Sequence, residues 1–344
     1  MGRISRAWLF AGISAVVVIS TAVYFIYFAP LAYNAYDNPL DDDEVLSASV
    51  VVRIDEPLLP LFKPINLNER KIELGVALFH DPRLSKDDTV SCASCHDLLV
   101  GGVDRLVHSV GIEGKEGDVN APSVYNSSLS YVQFWDGRAK DLYEQAVGPI
   151  YNPVEMAATW EIVLPKLLAD EDLVDHFRSI YNEPPNAVNV VDAIVEFERS
   201  LITPSRMDRW LLGDDNAITA EELEGYRTFV RYGCVACHQG VGVGGNMMQR
   251  FGIMYDYYAD TDVVVKSDMG RFNVTGREED KFVFKVPTLR NAALTPPYFH
   301  DGSAATLPDA VARMGLMQLG VELPREDVES ITRFLLTLNG EDLR

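Results

Sequence analysis

Along most of the chain apolar positions recur at helical spacing, and few stretches alternate with the period of two that marks strands. After Asn68, the residues Ile72, Gly75, Val76 and Phe79 share one face, which predicts an amphipathic helix that stops before Asp81-Pro82. Asp192 to Leu201 predicts another, ended by Thr203-Pro204. Thr219-Ala220-Glu221-Glu222 reads as a capping box, and Leu223, Tyr226 and Val230 carry its apolar face up to Gly233. Val328, Ile331, Leu335 and Leu338 mark the last helix, with Pro324 at its start and Gly340 beyond its end. Phe282-Val283-Phe284-Lys285-Val286 is the main candidate strand, so the expected class is mostly α.

The N-terminus has a different pattern. From Ala7 to Ala29 run 23 residues without a charge, enough to cross a hydrocarbon core of about 30 Å as a helix. Arg3 and Arg6 precede the run, while Asp37, Asp41, Asp42, Asp43 and Glu44 follow it, so the basic flank stays in the cytoplasm and the body is exported. The competing reading is a cleaved signal peptide, with Ser20-Thr21-Ala22 as a small-x-small site. The strongly apolar Val23 to Phe28 after that site favours the uncleaved anchor. Residues 30–64 carry Pro30, Pro39, Pro57, Pro60, Pro64 and the acidic cluster, a composition that reads as a tether. The expected layout is an anchor (1–29), the tether (30–64) and two domains (65–204 and 205–344), each with a helix leading into a Cys pair.

Length and charge agree with this layout. A chain of 344 residues holds roughly two domains at about 150 residues each. With 51 acidic residues against 30 basic ones the net charge is −21, which repels nucleic acid and favours a cationic partner.

The four cysteines fall as two tight pairs, Cys92-Ala93-Ser94-Cys95-His96 and Cys234-Val235-Ala236-Cys237-His238. This is the C-x-x-C-H pattern of c-type haem attachment. Two thiols three residues apart can add to the two vinyl groups of one porphyrin, and the adjacent His is then held beneath the iron as an axial ligand. A zinc site built from the four cysteines, or a thioredoxin-like pair, would not need a His after the second Cys in both copies. The function then turns on the sixth ligands, because an iron with two strong ligands passes electrons and an open one does chemistry. Besides His96 and His238 the chain has His80, His108, His176 and His300. His80 fits a structural role at a helix end, and His176 lies in an acidic helical segment and fits the surface.

From Leu78 to Leu338 the chain resembles the bacterial dihaem cytochrome c peroxidases, a family that includes MauG and its relatives. The resemblance rests on Leu84-Ser85, both haem motifs, the segments Gln133 to Ala139, Asn152 to Met156 and Lys285 to Asn291, and Tyr298-Phe299-His300-Asp301-Gly302. It implies two cytochrome c-like haem domains, with a peroxidatic haem on Cys92, Cys95 and His96. It also implies an electron-entry haem on Cys234, Cys237 and His238, with Met314 near the end of a short helix as sixth ligand. Trp135 would relay electrons between them, and Glu155, Gln145 and Phe134 would form the distal pocket of the first haem. One positioned carboxyl can take a proton from one peroxide oxygen and return it to the other. The resemblance further implies a calcium ion held by the Asn120 side chain and by the Thr295 and Pro297 carbonyls, a donor set that suits calcium.

In many members of this family a loop His blocks the peroxidatic iron. Aligning Ser109, Gly111 and Asn120 places Ile112 at that position, four residues after His108. Ile has no donor atom, so the first haem is expected to be five-coordinate or to hold only water. The expected activity is reduction of hydrogen peroxide in the periplasm, at the bacterial inner membrane. The electron donor would be a cytochrome c, a cupredoxin or a quinol-linked complex, and family members are commonly homodimers. The alternatives are MauG-like oxidation of a protein or organic substrate, against which Met314 weighs because a Tyr there would suggest it, and a tethered dihaem electron carrier.

Overall fold

The computed structural model describes residues 52–258 and 263–343, so the expected anchor and most of the tether lie outside the described residues. Among the described residues no helix is long and apolar enough to cross a membrane. In the first half the helices are α1 (Glu69–Phe79), α2 (Cys92–Cys95), α3 (Leu142–Tyr151), α4 (Trp160–Leu168), α5 (Glu171–Tyr181) and α6 (Ala187–Ser200). The second half has α7 (Arg206–Leu211), α8 (Ala220–Arg231), α9 (Phe272–Thr275), α10 (Leu307–Leu319) and α11 (Arg325–Leu336). The expected strand is Val283–Lys285 (β2), paired antiparallel with Met248–Arg250 (β1), with Gln249 opposite Phe284.

Local chemistry sets the helix ends. The Asn68 side chain accepts from the amides of Arg70 and Lys71 at the start of α1, and His80 closes the helix with Nδ1 2.9 Å from the Val76 carbonyl. Thr219 and Glu222 make the expected capping box on α8. α3 and α4 did not stand out as periodic segments because each carries a proline, Pro149 and Pro165, which lacks the N–H a helix interior needs. One expectation is corrected here: α10 is a 13-residue helix, and Met314 sits in its middle rather than near the end of a short one.

Two helix crossings, one in each half, organise two hydrophobic cores. α1 meets α6 at Gly75, where a Cβ would lie 2.1 Å from the Ala193 carbonyl oxygen and 2.6 Å from Phe197 Cβ. α8 meets α11 at Gly225, where a Cβ would lie 2.1 Å from the Ser330 carbonyl oxygen and 3.1 Å from Phe334 Cβ. Only glycine lets the paired backbones come this close. Leu74, Leu78, Phe177, Val190 and Ile194 fill the first core, and Met207, Leu211, Phe229, Ile331 and Phe334 the second.

The end of the segment read as a tether is packed rather than free. Leu58 is fully buried in the second core and Leu61 is buried beside it. Gly240 donates to the Pro57 carbonyl and Leu59 donates to the Gly240 carbonyl, so this strap lies along the loop after the second Cys pair. Apolar residues between the prolines hold it there, a signal that composition over the whole segment averages away.

A buried ion pair ties these parts together. Arg290 and Asp208, 2% and 1% exposed, make two parallel hydrogen bonds of 2.8 Å. Asp208 also accepts from the Ser205 amide and hydroxyl and from the Leu61 amide, while Arg290 donates to the Val241 and Leu59 carbonyls. Where the halves meet, Asn126 and Asn291, both with positive φ, donate to the Thr203 hydroxyl at 2.8 and 3.0 Å. Replacing Asp208 by Ala strands the guanidinium in the interior and should cost about 3–5 kcal/mol, read as a lower urea midpoint. The double variant Asp208→Leu/Arg290→Met should lose less than that single variant; the opposite order would contradict this account.

Candidate active site

The two Cys pairs are built alike. Each forms one helical turn, in which the amide of His96 or His238 donates at 3.0 Å to the carbonyl of the first Cys, Cys92 or Cys234. That bond places the imidazole one turn beyond the first thiol. None of the four thiols is in a disulfide, and all four, with both imidazoles, line one cavity of about 1160 Å³ shared by the two halves. Sites for a single small ligand run to about 1,000 Å³, so this one has room for more than one large group.

Burial makes both imidazoles poor proton acceptors: His96 is shifted down, and His238 is lowered to about 4. A neutral imidazole is what an iron requires. Nδ1 of His96 lies 3.2 Å from the Gly102 carbonyl, which leaves Nε2 for a metal. Nδ1 of His238 is buried beside the Val243 and Pro287 carbonyls without hydrogen-bond geometry to either. Burial also pushes the Cys92 thiol up to about 12, and those of Cys95 and Cys234 to about 11. Free thiol pairs, neutral imidazoles and a mostly apolar cavity fit covalently bound haem.

The expected distal residues converge on this cavity. α3 supplies Gln145, and the loop after it supplies Glu155; both line the wall, with Phe134 and Arg138 beside them. Phe134, at φ +65°, lays its ring under the Arg138 guanidinium, 3.5 Å from its centroid, with the tip of the ring close to Gly148, where a Cβ would lie 2.9 Å from it. Burial raises the Glu155 carboxyl above the ordinary carboxylate range, partly offset by the Asn152 amide that donates to it and by the Arg138 charge. The group is therefore shifted toward neutrality, where an acid–base catalyst works best.

Neither Ile112 nor His108 is among the residues lining the cavity. Ile112 is 1% exposed, and its amide donates at 2.8 Å to the Glu155 carbonyl. His108 lies 3.7 Å from the Glu116 carboxylate. The turn is closed by Gly111 donating to Lys115 at 2.7 Å and Gly117 to Ser109 at 2.9 Å.

Trp135 lines the cavity and donates through Nε1 to the Asn120 carbonyl at 2.9 Å. Asn120, Thr295 and Pro297, the expected calcium positions, all lie on the same wall, and the Asn120 amide nitrogen is occupied by the Leu106 carbonyl at 2.8 Å. Met314 lines the cavity on the side of the second Cys pair, with Val311 and Leu307 of the same helix.

Two of the motif segments on this wall repeat each other, which went unread in the sequence, as did Glu198 and any role for Lys285. Phe134-Trp135-Asp136-Gly137-Arg138-Ala139 and Phe299-His300-Asp301-Gly302-Ser303-Ala304 are an internal repeat, each closed by an antiparallel bridge and each with its Phe and Gly at positive φ. His300 is thus the second-half counterpart of Trp135. Counting on through the helix caps Asp141 and Thr306 makes Pro149 the counterpart of Met314, and Pro149 has no donor atom for a metal. Glu198, one turn after Ile194 on the buried face of α6, projects into the cavity with one carboxyl oxygen unpartnered. Lys285 is a cation on the same wall, 3.4 Å from the Ser130 hydroxyl, and burial lowers it to about 8.

A two-haem c-type cytochrome with an acid beside one of its haem positions is the class of protein this fold and site define: an oxidoreductase. The model of the di-haem cytochrome c peroxidase family matches residues 69–216. Cytochrome c peroxidase Ccp of Escherichia coli (strain K12) is 46% identical over 288 residues, which cover 83% of this chain and 62% of that protein. Cytochrome c551 peroxidase of Nitrosomonas europaea is 45% identical over 299 residues, 86% of this chain and 88% of that one. The crystal structure of a MauG-like protein associated with microbial copper homeostasis matches with a TM-score of 0.73 at 27% identity, covering 84% of this chain and 95% of that one. The chain belongs to the dihaem cytochrome c peroxidase and MauG family, and it is an enzyme of the peroxidase class.

Burial raises the Glu198 carboxyl to about 8. Its contribution to stability is full below the unfolded pKa of about 4.3 and is lost as pH rises through the folded value. Between the two, only the unfolded chain ionises it, so stability falls by up to about 1.4 kcal/mol per pH unit. Glu198→Gln removes this slope, and the thermal midpoints of the holoprotein at about pH 5 and pH 8 should lie closer together than in the wild type.

Proposed function

We propose that the chain is a membrane-anchored periplasmic peroxidase that reduces hydrogen peroxide to two waters with two electrons from a small redox protein, and that its first haem is open when both irons are oxidised. The anchor rests on the 23 uncharged residues from Ala7 to Ala29. Relatives named cytochrome c peroxidase support the substrate and the kind of donor. A cationic carrier is the donor that a chain of net charge −21 would attract.

In this reading Cys92, Cys95 and His96 hold the peroxidatic haem, and Cys234, Cys237, His238 and Met314 hold the one that receives electrons. Lys285, the half-buried cation on the wall, would offset the charge of a haem propionate. Asn120 Oδ1 and the Thr295 and Pro297 carbonyls hold calcium. Haem supplies the peroxide-binding position and the electron transfer. Glu155 moves the proton: it takes one from the near oxygen of peroxide and returns it to the far oxygen, which leaves as water. Gln145 orients the peroxide by hydrogen bonding, and Phe134 excludes bulk water. Trp135 lies on the electron route between the halves.

The observation that carries the open-haem reading is the distal wall of the first half. Glu155 and Gln145 face the cavity, Ile112 and His108 do not, and Pro149 stands where the other half has Met314. A high-spin ferric signal in the EPR spectrum of the as-isolated diferric protein is the expected result; two low-spin haems with no high-spin component would overturn it. Glu155→Gln should lower peroxide turnover by a factor on the order of 10² with both haems still bound, as judged from the reduced absorption spectrum. Unchanged turnover would remove Glu155 from its assigned role.

A further inference from the structure

From Trp135 an array of aromatic rings continues along the cavity wall through His300 and Phe284 and then leaves it at Tyr258 and Tyr257, which are not among the lining residues. The Trp135 ring is 6.4 Å from the His300 ring, edge to face. His300 is 2% exposed and stacks on Phe284 at 4.4 Å. Its Nε2 lies 2.9 Å from the buried Asp268 carboxylate and 3.4 Å from the hydroxyl of Tyr258. Tyr258 is itself buried, stacks on Phe282 at 4.4 Å, and lies 5.1 Å from the ring of Tyr257. Tyr257 is half-buried and donates its hydroxyl hydrogen to Asp301 at 2.8 Å.

Packing alone accounts for stacked rings. It does not account for a buried phenol set against an imidazole–carboxylate pair, followed by a second phenol that has its own carboxylate. A phenol gives up an electron easily only when its proton can leave at the same time. Both phenols here have that arrangement, and the first lies one imidazole away from the tryptophan between the haem motifs.

We propose that Tyr258 and Tyr257 form a second electron source, which refills the enzyme through His300 and Trp135 when the external donor is absent. This rests on the peroxidase reading above. Reducing one hydrogen peroxide to two waters takes two electrons and two protons, and each tyrosine supplies one electron. Tyr258 is oxidised first and its phenolic proton passes to the Asp268 carboxylate, the base that sits beside it on the same His300 nitrogen. Tyr257 then returns an electron to Tyr258, which takes its proton back, gives the second electron along the same route and releases that proton again, while the Tyr257 proton goes to Asp301. Each phenol becomes a neutral tyrosyl radical, and the route ends near the surface, away from the haem cavity. Burial next to Asp268 keeps Tyr258 protonated at rest, well above the usual phenol range.

The test mixes the holoenzyme with hydrogen peroxide, freeze-quenches on the millisecond scale with no donor present, and records EPR. A tyrosyl signal is expected in the wild type. Tyr258→Phe should lower it at least tenfold, and Tyr257→Phe should change its hyperfine pattern and shorten its lifetime. Donor-supported turnover of both variants should stay within twofold of the wild type, which also shows that they are folded. Peroxide that persists with donor present would overturn the peroxidase reading. Peroxide consumed without a tyrosyl signal, or a signal undiminished in Tyr258→Phe, would overturn the tyrosine route alone.

Discussion

A guanidinium and a carboxylate with no access to water, Arg290 and Asp208, hold the molecule in register. Taking both charges out of water is costly, so the pair is tolerable only because each polar atom is satisfied. Asp208 is served by Ser205 and the Leu61 amide, and Arg290 reaches the Val241 and Leu59 carbonyls. These contacts join the strap before the first half, α7, the loop after His238 and the segment from Lys285 to Asn291. That segment carries Lys285 into the cavity wall and leads on to His300. An apolar replacement of similar shape could match the stability of such a pair, but it would not specify which backbone carbonyls meet.

Around this junction the two halves repeat one plan and diverge in chemistry. Gly75 and Gly225 make equivalent helix crossings, and Asn126 and Asn291 make equivalent turns onto Thr203. Trp135 and His300 then occupy equivalent places, as do Pro149 and Met314. Packing demands the same backbone in both halves and leaves the side chains at those places free to differ. One half therefore presents a thioether to its cavity wall, and the other presents an acid and an amide.

A single physical cause acts on most of the titratable groups in the cavity. Removal from water raises Glu155 and Glu198, lowers His96, His238 and Lys285, and raises the thiols. Partners set what each group can then do. Glu155 is moderated by Asn152 and Arg138, whereas desolvation is the one cause acting on Glu198, whose second oxygen has no partner. Tyr258 is buried too, but it lies against His300 and Asp268, which gives its proton a destination.

Much of this was legible in the chain itself. The C-x-x-C-H spacing is a property of one helical turn, and the Asn68 and Thr219 caps and the apolar faces of α1, α8 and α11 are properties of a few turns, so local sequence determined them. The prolines of α3 and α4 obscured a local pattern, and the Trp135/His300 repeat was present but too degenerate to stand out by eye. Other features were decided only by tertiary structure: that Leu58 crosses to the second core, that Ile112 turns away from the cavity while Glu155 turns toward it, and that one carboxyl oxygen of Glu198 is buried without a partner. Each depends on residues far apart in the chain competing for the same buried space. A local pattern can say that a residue is apolar or acidic, but not which distant group will exclude water from it.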